Sequence, residues 1–288
     1  MITIFQAIIL GLIQGATELF PISSLGHSVI IPKILGWNIH QNDPFFLTFL
    51  VATHLATALV LFYFFLPEWL RIFKGLGRSF RQREVNDRDT YAKLGWLLIV
   101  GTLPAGILAV LFEQSIRNLL NSAELACLFL MINGCILLGA EALRKNRRSA
   151  AGQTGVQSDQ HIAKLGFRSA VAVGTAQAAA LLPGISRSGS SMAGGLLAGL
   201  DNEAAARFSF LLATPIIGAA ALYKIPDLFS ASSASLRTPA LVGALSAGFA
   251  AYLSVKFLTK YFQTKNLRPF GYYCILAGAA ALIYLLVQ

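Results

Sequence analysis

Charge is what this sequence has least of. Asp, Glu, Lys and Arg make up 12% of its 288 residues, about half the share usual in a soluble globular domain. That excludes a chain built to be wetted all over. Basic residues are missing from its start as well: none precedes Lys33. The first apolar run therefore lacks the positive opening of a secretory signal, and Met1 to Phe20 is expected to stay in the mature protein. The three cysteines, Cys127, Cys135 and Cys274, show no metal-ligand spacing and read as small buried residues. The net charge of +10 comes without aromatic side chains interleaved among the Lys and Arg on one face, which argues against a nucleic-acid partner.

What the sequence has in quantity is apolar length. Hydrophobic residues make up 56% of it, in runs of about 18 to 23, the length that crosses a bilayer core. The expectation is one all-α polytopic membrane domain over residues 1–288. A barrel would instead show short strands alternating with polar lumen residues. Six runs have spanning length: about 44–66, 93–112, 123–143, 207–224, 239–260 and 270–287. Segments 67–92 and 144–168 read as polar loops, and Gln153 to Gln160 as a flexible stretch within the second.

The basic residues orient the spans. Seven lie in 71–93, six in 144–168 and four in 256–268, whereas the loops 37–43, 113–122 and 225–238 hold only Arg117 and Arg237. The first group is expected in the cytoplasm and the second outside. Counting crossings leaves segments 1–37 and 169–200, each of which must enter and leave on one side. Both are apolar and both are interrupted by Pro, Gly and Ser. They read as re-entrant helical hairpins, entering from opposite faces, with backbone breaks that need protein or a wet cavity around them.

The two interrupted segments also resemble each other at a constant offset of 163. Gly11 matches Gly174, Gln14 matches Gln177, Ile22-Ser23 matches Ile185-Ser186, Gly26 matches Gly189, Ser28 matches Ser191 and Gly36 matches Gly199. The spans that follow match with a two-residue slip, Phe49 to Thr53 against Phe210 to Thr214. This divides the chain into a first half, 1–143, a cytoplasmic loop, 144–168, and a second half, 169–288. Each half holds one hairpin and three spans, and an odd count inverts the second half in the membrane. In such inverted repeats the broken helices meet near the midplane and form the site.

The first break carries Gln14 and Glu18, four apart on one helix face, then Pro21, Ser23, Ser24, Gly26 and His27. Pro21 cannot continue the entering helix, and Ser23 and Ser24 are good caps for the returning one. The second break reads Pro183, Gly184, Ser186, Arg187, Ser188, Gly189, Ser190 and Ser191. Two helix N-termini aimed at one place make an anion site, to which Arg187 adds a fixed charge and a donor fork. The expected ligand carries phosphate. For Glu18 and Arg187 the plainer alternative is a mutual ion pair holding the hairpins together, though ionisable residues at membrane depth are functional by default. Ser28 and Ser190 are equally well explained by close packing, His27 by simple hydrogen bonding, and Glu124 and Glu141 by an interfacial position. His54 either faces the site or packs.

At these residues the sequence resembles the undecaprenyl pyrophosphate phosphatase family of the bacitracin-resistance type. That family's (Glu/Gln)-x-x-x-Glu motif, running into Pro-x-Ser-Ser-x-Gly-His, stands here as Gln14, Glu18, Pro21, Ser23, Ser24, Gly26 and His27. Its Pro-Gly-x-Ser-Arg-Ser-x-x-Thr motif stands as Pro183, Gly184, Ser186, Arg187, Ser188 and Ser191. Three departures are Gln14 in place of a first acid, Ser191 in place of Thr, and Leu50 where many members carry Asp or Glu. The resemblance implies hydrolysis of undecaprenyl diphosphate, a polyprenyl diphosphate lipid, to undecaprenyl phosphate. It also implies a divalent cation, Mg²⁺ or Ca²⁺, and a bacterial cytoplasmic (inner) membrane protein whose site opens to the periplasm. The catalytic set expected is Glu18, Ser24, His27 and Arg187, with Ser23, Gly26, Gly184, Ser186, Ser188 and Ser191 on the diphosphate and Glu18 and Gln14 on the metal. Ser24 is the favoured nucleophile with His27 as its acid/base; His27 itself and metal-activated water are rivals. A membrane transporter or lipid flippase on the same inverted-repeat plan is the alternative function, and a homodimer is left open.

Overall fold

The first helix stops where proline forbids it to go on. In the computed structural model, which describes residues 2–37, 39, 44–112, 122–144, 155–229 and 237–287, α1 (Ile4–Leu19) begins with a capping box between Thr3 and Gln6 and ends just before Pro21. Ser23 caps α2 (Ser24–Ile34) by accepting from Gly26 N at 3.2 Å. At 1.5 Å per residue the two helices are about 24 and 16 Å long, each shorter than a bilayer core of about 30 Å. The second interruption is built the same way. α8 (Phe167–Gln177) tightens into a 3₁₀ turn at Ala178–Leu181, and α9 (Arg187–Leu197) restarts on Ser186, which accepts from Gly189 N at 3.1 Å.

Among the described residues six helices are long and apolar enough to cross a membrane: α3 (Pro44–Phe64), α5 (Thr90–Leu111), α6 (Ala123–Leu143), α10 (Asn202–Phe229), α11 (Arg237–Tyr261) and α12 (Arg268–Val287). They coincide with the six expected runs, α10 extending past both ends of its run. Every described element is a helix, so the chain is an all-α, multi-pass membrane protein.

Small residues set the helix spacing. A Cβ on Gly11 would strike the carbonyl oxygen of Gly243, and one on Gly15 that of Ala247, so α1 and α11 touch backbone to backbone. Gly174 of α8 meets Gly101 of α5 in the same manner. Close approach of this kind is how helices associate where lipid offers no hydrophobic drive. Gly15→Val is expected to lower the thermal midpoint of the detergent-solubilised protein, with a loss of at least about 1–3 kcal/mol from overpacking. An unchanged midpoint would mean the two helices can part without cost.

Four expectations are corrected. Segment 67–92 is not a loop throughout: α4 (Leu66–Gln82) fills most of it, with Pro67 in its first turn and Trp69, Ile72, Gly75 and Ser79 buried. The stretch expected to be flexible is helical from Gly155 on, since α7 (Gly155–Ala163) is held by its fully buried Asp159; Gln153 and Thr154 lie outside the described residues. Arg207 Nε donates to Asp159 at 2.6 Å and its Nη2 to Glu68 at 2.7 Å, while its guanidinium lies 5.2 Å from the centre of the Phe65 ring. Cys127 and Cys274 are buried, but Cys135 is exposed. Glu141 is buried rather than interfacial: its carboxylate accepts from Leu267 N at 2.9 Å, where α12 begins and free N–H groups favour a negative charge. Residues 113–121, with Arg117, lie outside the described residues.

Candidate active site

One carboxylate gathers the polar side chains of both breaks. Glu18 is buried in the last turn of α1. Its Oε2 accepts from Gln14 Nε2 at 2.9 Å, one turn earlier on the same helix, and from Ser24 Oγ at 2.6 Å, in the first turn of α2. Its Oε1 accepts from Arg187 Nη2 at 3.1 Å. His54 of α3 brings Nε2 to 3.4 Å from Oε2, because its Nδ1 is fixed 2.7 Å from the carbonyl of Leu50. So the ion pair read as the plainer alternative is formed, and a serine hydroxyl shares its carboxylate. Leu50 contributes its carbonyl here, which also accepts from Thr53 Oγ1 at 2.8 Å.

The second break supplies the cation and a row of hydroxyls. Arg187 is the first residue of α9, and its Nη1 donates to Ser209 O at 3.3 Å. Ser186 and Ser188 exchange a hydrogen bond at 3.0 Å, and Ser188 Oγ donates to Phe20 O at 3.3 Å, across to the first break. Ser191 Oγ reaches Ser209 Oγ at 2.7 Å. The breaks also meet through backbone: a Cβ on Gly26 would lie 2.8 Å from the Cα of Gly184. Gly184 holds φ +111°, and Ser23 takes φ +69° although it is not glycine. A side-chain-bearing residue in that region stores strain, a feature that clusters at working sites.

Asn133 joins the breaks a third time. Fully buried in the middle of α6, it donates from Nδ2 to Pro21 O at 3.0 Å and accepts at Oδ1 from Ser186 N, also at 3.0 Å. A single carboxamide thus satisfies an orphan carbonyl of one break and an orphan N–H of the other.

Most of the expected residues come together, with one set apart. Gln14, Glu18, Ser24 and Arg187 are in direct contact. Ser23, Gly26, Gly184, Ser186, Ser188 and Ser191 form the two helix starts around them. His27 is turned elsewhere: Nδ1 lies 2.7 Å from Ser23 O and Nε2 2.9 Å from Tyr273 Oη, with the two rings stacked. Ser28 and Ser190 are buried and their hydroxyls have no partner among the described residues. Sequence reasoning left His54 between two readings and missed Asn133, Ser209 and Tyr273. Asn133 had a signal: a lone amide in the middle of an apolar span needs partners.

A buried carboxylate paired with a guanidinium stands here between two serine-capped helix starts, in a multi-pass membrane protein. Comparison with known proteins makes this particular. Residues 7–280 match the family described as Bacitracin resistance protein BacA, and the chain belongs to that family. It is 42% identical to the undecaprenyl-diphosphatase of Mycolicibacterium paratuberculosis, over 98% of this chain and 97% of that one. It is also 42% identical to undecaprenyl-diphosphatase 2 of Chromobacterium violaceum, over 98% and 99%, and 44% identical to the undecaprenyl-diphosphatase of Acidiphilium cryptum, over 96% of both.

Proposed function

We propose that this chain hydrolyses undecaprenyl diphosphate to undecaprenyl phosphate and inorganic phosphate, returning the lipid carrier to peptidoglycan synthesis. Full-length similarity to proteins named for that activity supports the substrate. The observation that carries the chemistry is the 2.6 Å hydrogen bond from Ser24 Oγ to a carboxylate whose other oxygen holds Arg187. Phosphoryl transfer asks mainly for in-line positioning and charge neutralisation. In this reading the terminal phosphate enters between the two helix starts and draws Arg187 onto its oxygens. Ser24 Oγ attacks phosphorus as Glu18 takes its proton, the bridging P–O bond breaks, and undecaprenyl phosphate leaves. Water then releases phosphate from the serine. His27, bound to Ser23 and Tyr273, stands outside this proton path and remains the rival nucleophile.

The divalent cation belongs to the same proposal. Gln14 Oε1 is buried without a partner among the described residues, beside the Glu18 carboxylate. Those two oxygens, completed by diphosphate oxygens, fit the way Mg²⁺ is held by few protein ligands plus substrate phosphates. When bound, the ion would neutralise diphosphate charge. The bacterial inner membrane and a site opening to the periplasm belong to the same proposal: they rest on the likeness to the BacA family, and the distribution of Lys and Arg supports the orientation of the spans. Duplication of a hairpin-plus-three-span unit accounts for Gly11 and Gly174, 163 apart, each packing its helix onto the second span of the other half. On that plan both hairpins are re-entrant.

The test is phosphate release from undecaprenyl diphosphate by the purified protein. We expect metal-dependent release that Glu18→Gln and Arg187→Ala each reduce by at least about a hundredfold. Indifference to both changes rules the reading out. Movement of labelled lipid across proteoliposomes without hydrolysis would favour a transporter instead. Trapping with labelled substrate separates the nucleophiles, because phosphoserine survives acid and phosphohistidine does not.

A further inference from the structure

Helix α4 has three faces, and the described residues cover only one. Trp69, Ile72, Gly75 and Ser79 are buried. Gly75 lies against the backbone of Tyr91 and Ala92, and Ser79 Oγ accepts from Trp96 Nε1 at 3.0 Å. Beside that face runs a stripe of Leu70, Phe73 and Phe80, which are 52, 51 and 65% exposed. Beyond the stripe stand Arg71, Lys74, Arg78 and Arg81, continued by Arg83 at the left-handed C-cap. The single acid of the helix, Glu68, is bound to Arg207. Arg78 is forked onto Asp89 and Arg71 lies over the Tyr91 ring. Lys74, Arg81 and Arg83 are exposed and have no ion-pair partner among the described residues.

Chain continuity fixes where this helix stands. The span of α3 ends at Phe64 and α4 begins two residues later, while α5 opens its own span at Thr90. Both ends of α4 are therefore tied to one surface of the bilayer. Gly75 meets Tyr91 and Ala92, Ile72 and Leu76 meet Gly95, Ser79 and Phe80 meet Trp96, and Arg78 meets Asp89, so α4 packs on the first two turns of that span and the residue before it. An apolar stripe flanked by unpaired basic residues, held at the membrane surface, is the composition of a helix that lies in the headgroup plane.

We propose that α4 is an interfacial helix that gathers anionic phospholipids around the protein. Leu70, Phe73 and Phe80 enter the acyl-chain boundary, and Lys74, Arg81 and Arg83 hold the headgroups. Each basic side chain at an anionic surface contributes roughly a fivefold preference, so three give at least about tenfold over a zwitterionic lipid. The test uses the full chain in vesicles, with Phe73→Trp as reporter and the parent protein subtracted. Brominated phosphatidylglycerol and brominated phosphatidylcholine are compared as quenchers at equal mole fraction. Strong quenching by the anionic lipid, falling to parity with the zwitterionic one in Lys74→Gln/Arg81→Gln/Arg83→Gln, is expected. Equal quenching by the two lipids in the unsubstituted background overturns the selectivity. Absence of quenching by either overturns the interfacial placement and leaves that face to water or another protein. Neither outcome depends on hydrolysis, so the result stands apart from the proposed phosphatase activity.

Discussion

Combining Ser24→Ala with Glu18→Gln is expected to reduce the rate of phosphate release by little more than either change alone. Each single change removes one side of the same proton transfer, and each is expected to lower kcat by on the order of 10² to 10⁴. Groups that act as a unit are not additive: once the hydroxyl is gone, the carboxylate has no proton to accept. The geometry behind this is the 2.6 Å bond between Ser24 Oγ and Glu18 Oε2. Single-turnover kinetics on the four proteins complete the cycle. If the double variant shows the product of the two single losses, Ser24 and Glu18 serve separate steps and the proposed proton path is wrong.

The second large effect is expected at Asn133, which ties Pro21 O of one break to Ser186 N of the other. Asn133→Leu keeps the volume and removes both hydrogen bonds. Ser186 N is then buried without a partner, at a cost of about 1–3 kcal/mol, and Pro21 O keeps only the weak Cys274 thiol donor at 3.9 Å. The two helix starts lose their common tie, and a displacement near 1 Å costs roughly a hundredfold in rate. We expect kcat/KM to fall by about that factor. Asn133→Asp, which keeps an acceptor for Ser186 N but has no N–H for Pro21 O, separates the two arms. A Leu variant with parental kinetics and a lowered melting temperature would reduce Asn133 to a packing residue.

Much of this was legible in the sequence because the membrane simplifies it. A span needs about 20 apolar residues, and the six runs stand out at that length. Pro21 and the Pro183-Gly184 pair mark the breaks, and the four-residue spacing of Gln14 and Glu18 puts both on one helix face, where they are hydrogen-bonded. What stayed hidden depended on partners distant in sequence. Segment 67–82 is rich enough in Lys and Arg to resemble a loop, yet its apolar residues recur at helical spacing. The stretch after Gln153 looks flexible until Arg207, 48 residues beyond Asp159, takes up that carboxylate. His27 sits at a catalytic spacing from Ser24, but Tyr273, 246 residues away, turns its ring aside. Nothing local reveals the last two choices.

The path of the Glu18 carboxylate has a consequence for how the protein is made. A ribosome delivers the first half of the chain to the membrane before Arg187 and Ser186 have been synthesised. Until they arrive, Glu18 lacks its guanidinium and the carboxamide of Asn133 has only Pro21 to hold. A nascent chain of 143 residues would therefore own the serine and the carboxylate without the cation that opposes diphosphate charge. On the proposed chemistry, a chain that stops before Arg187 is expected to be a silent one.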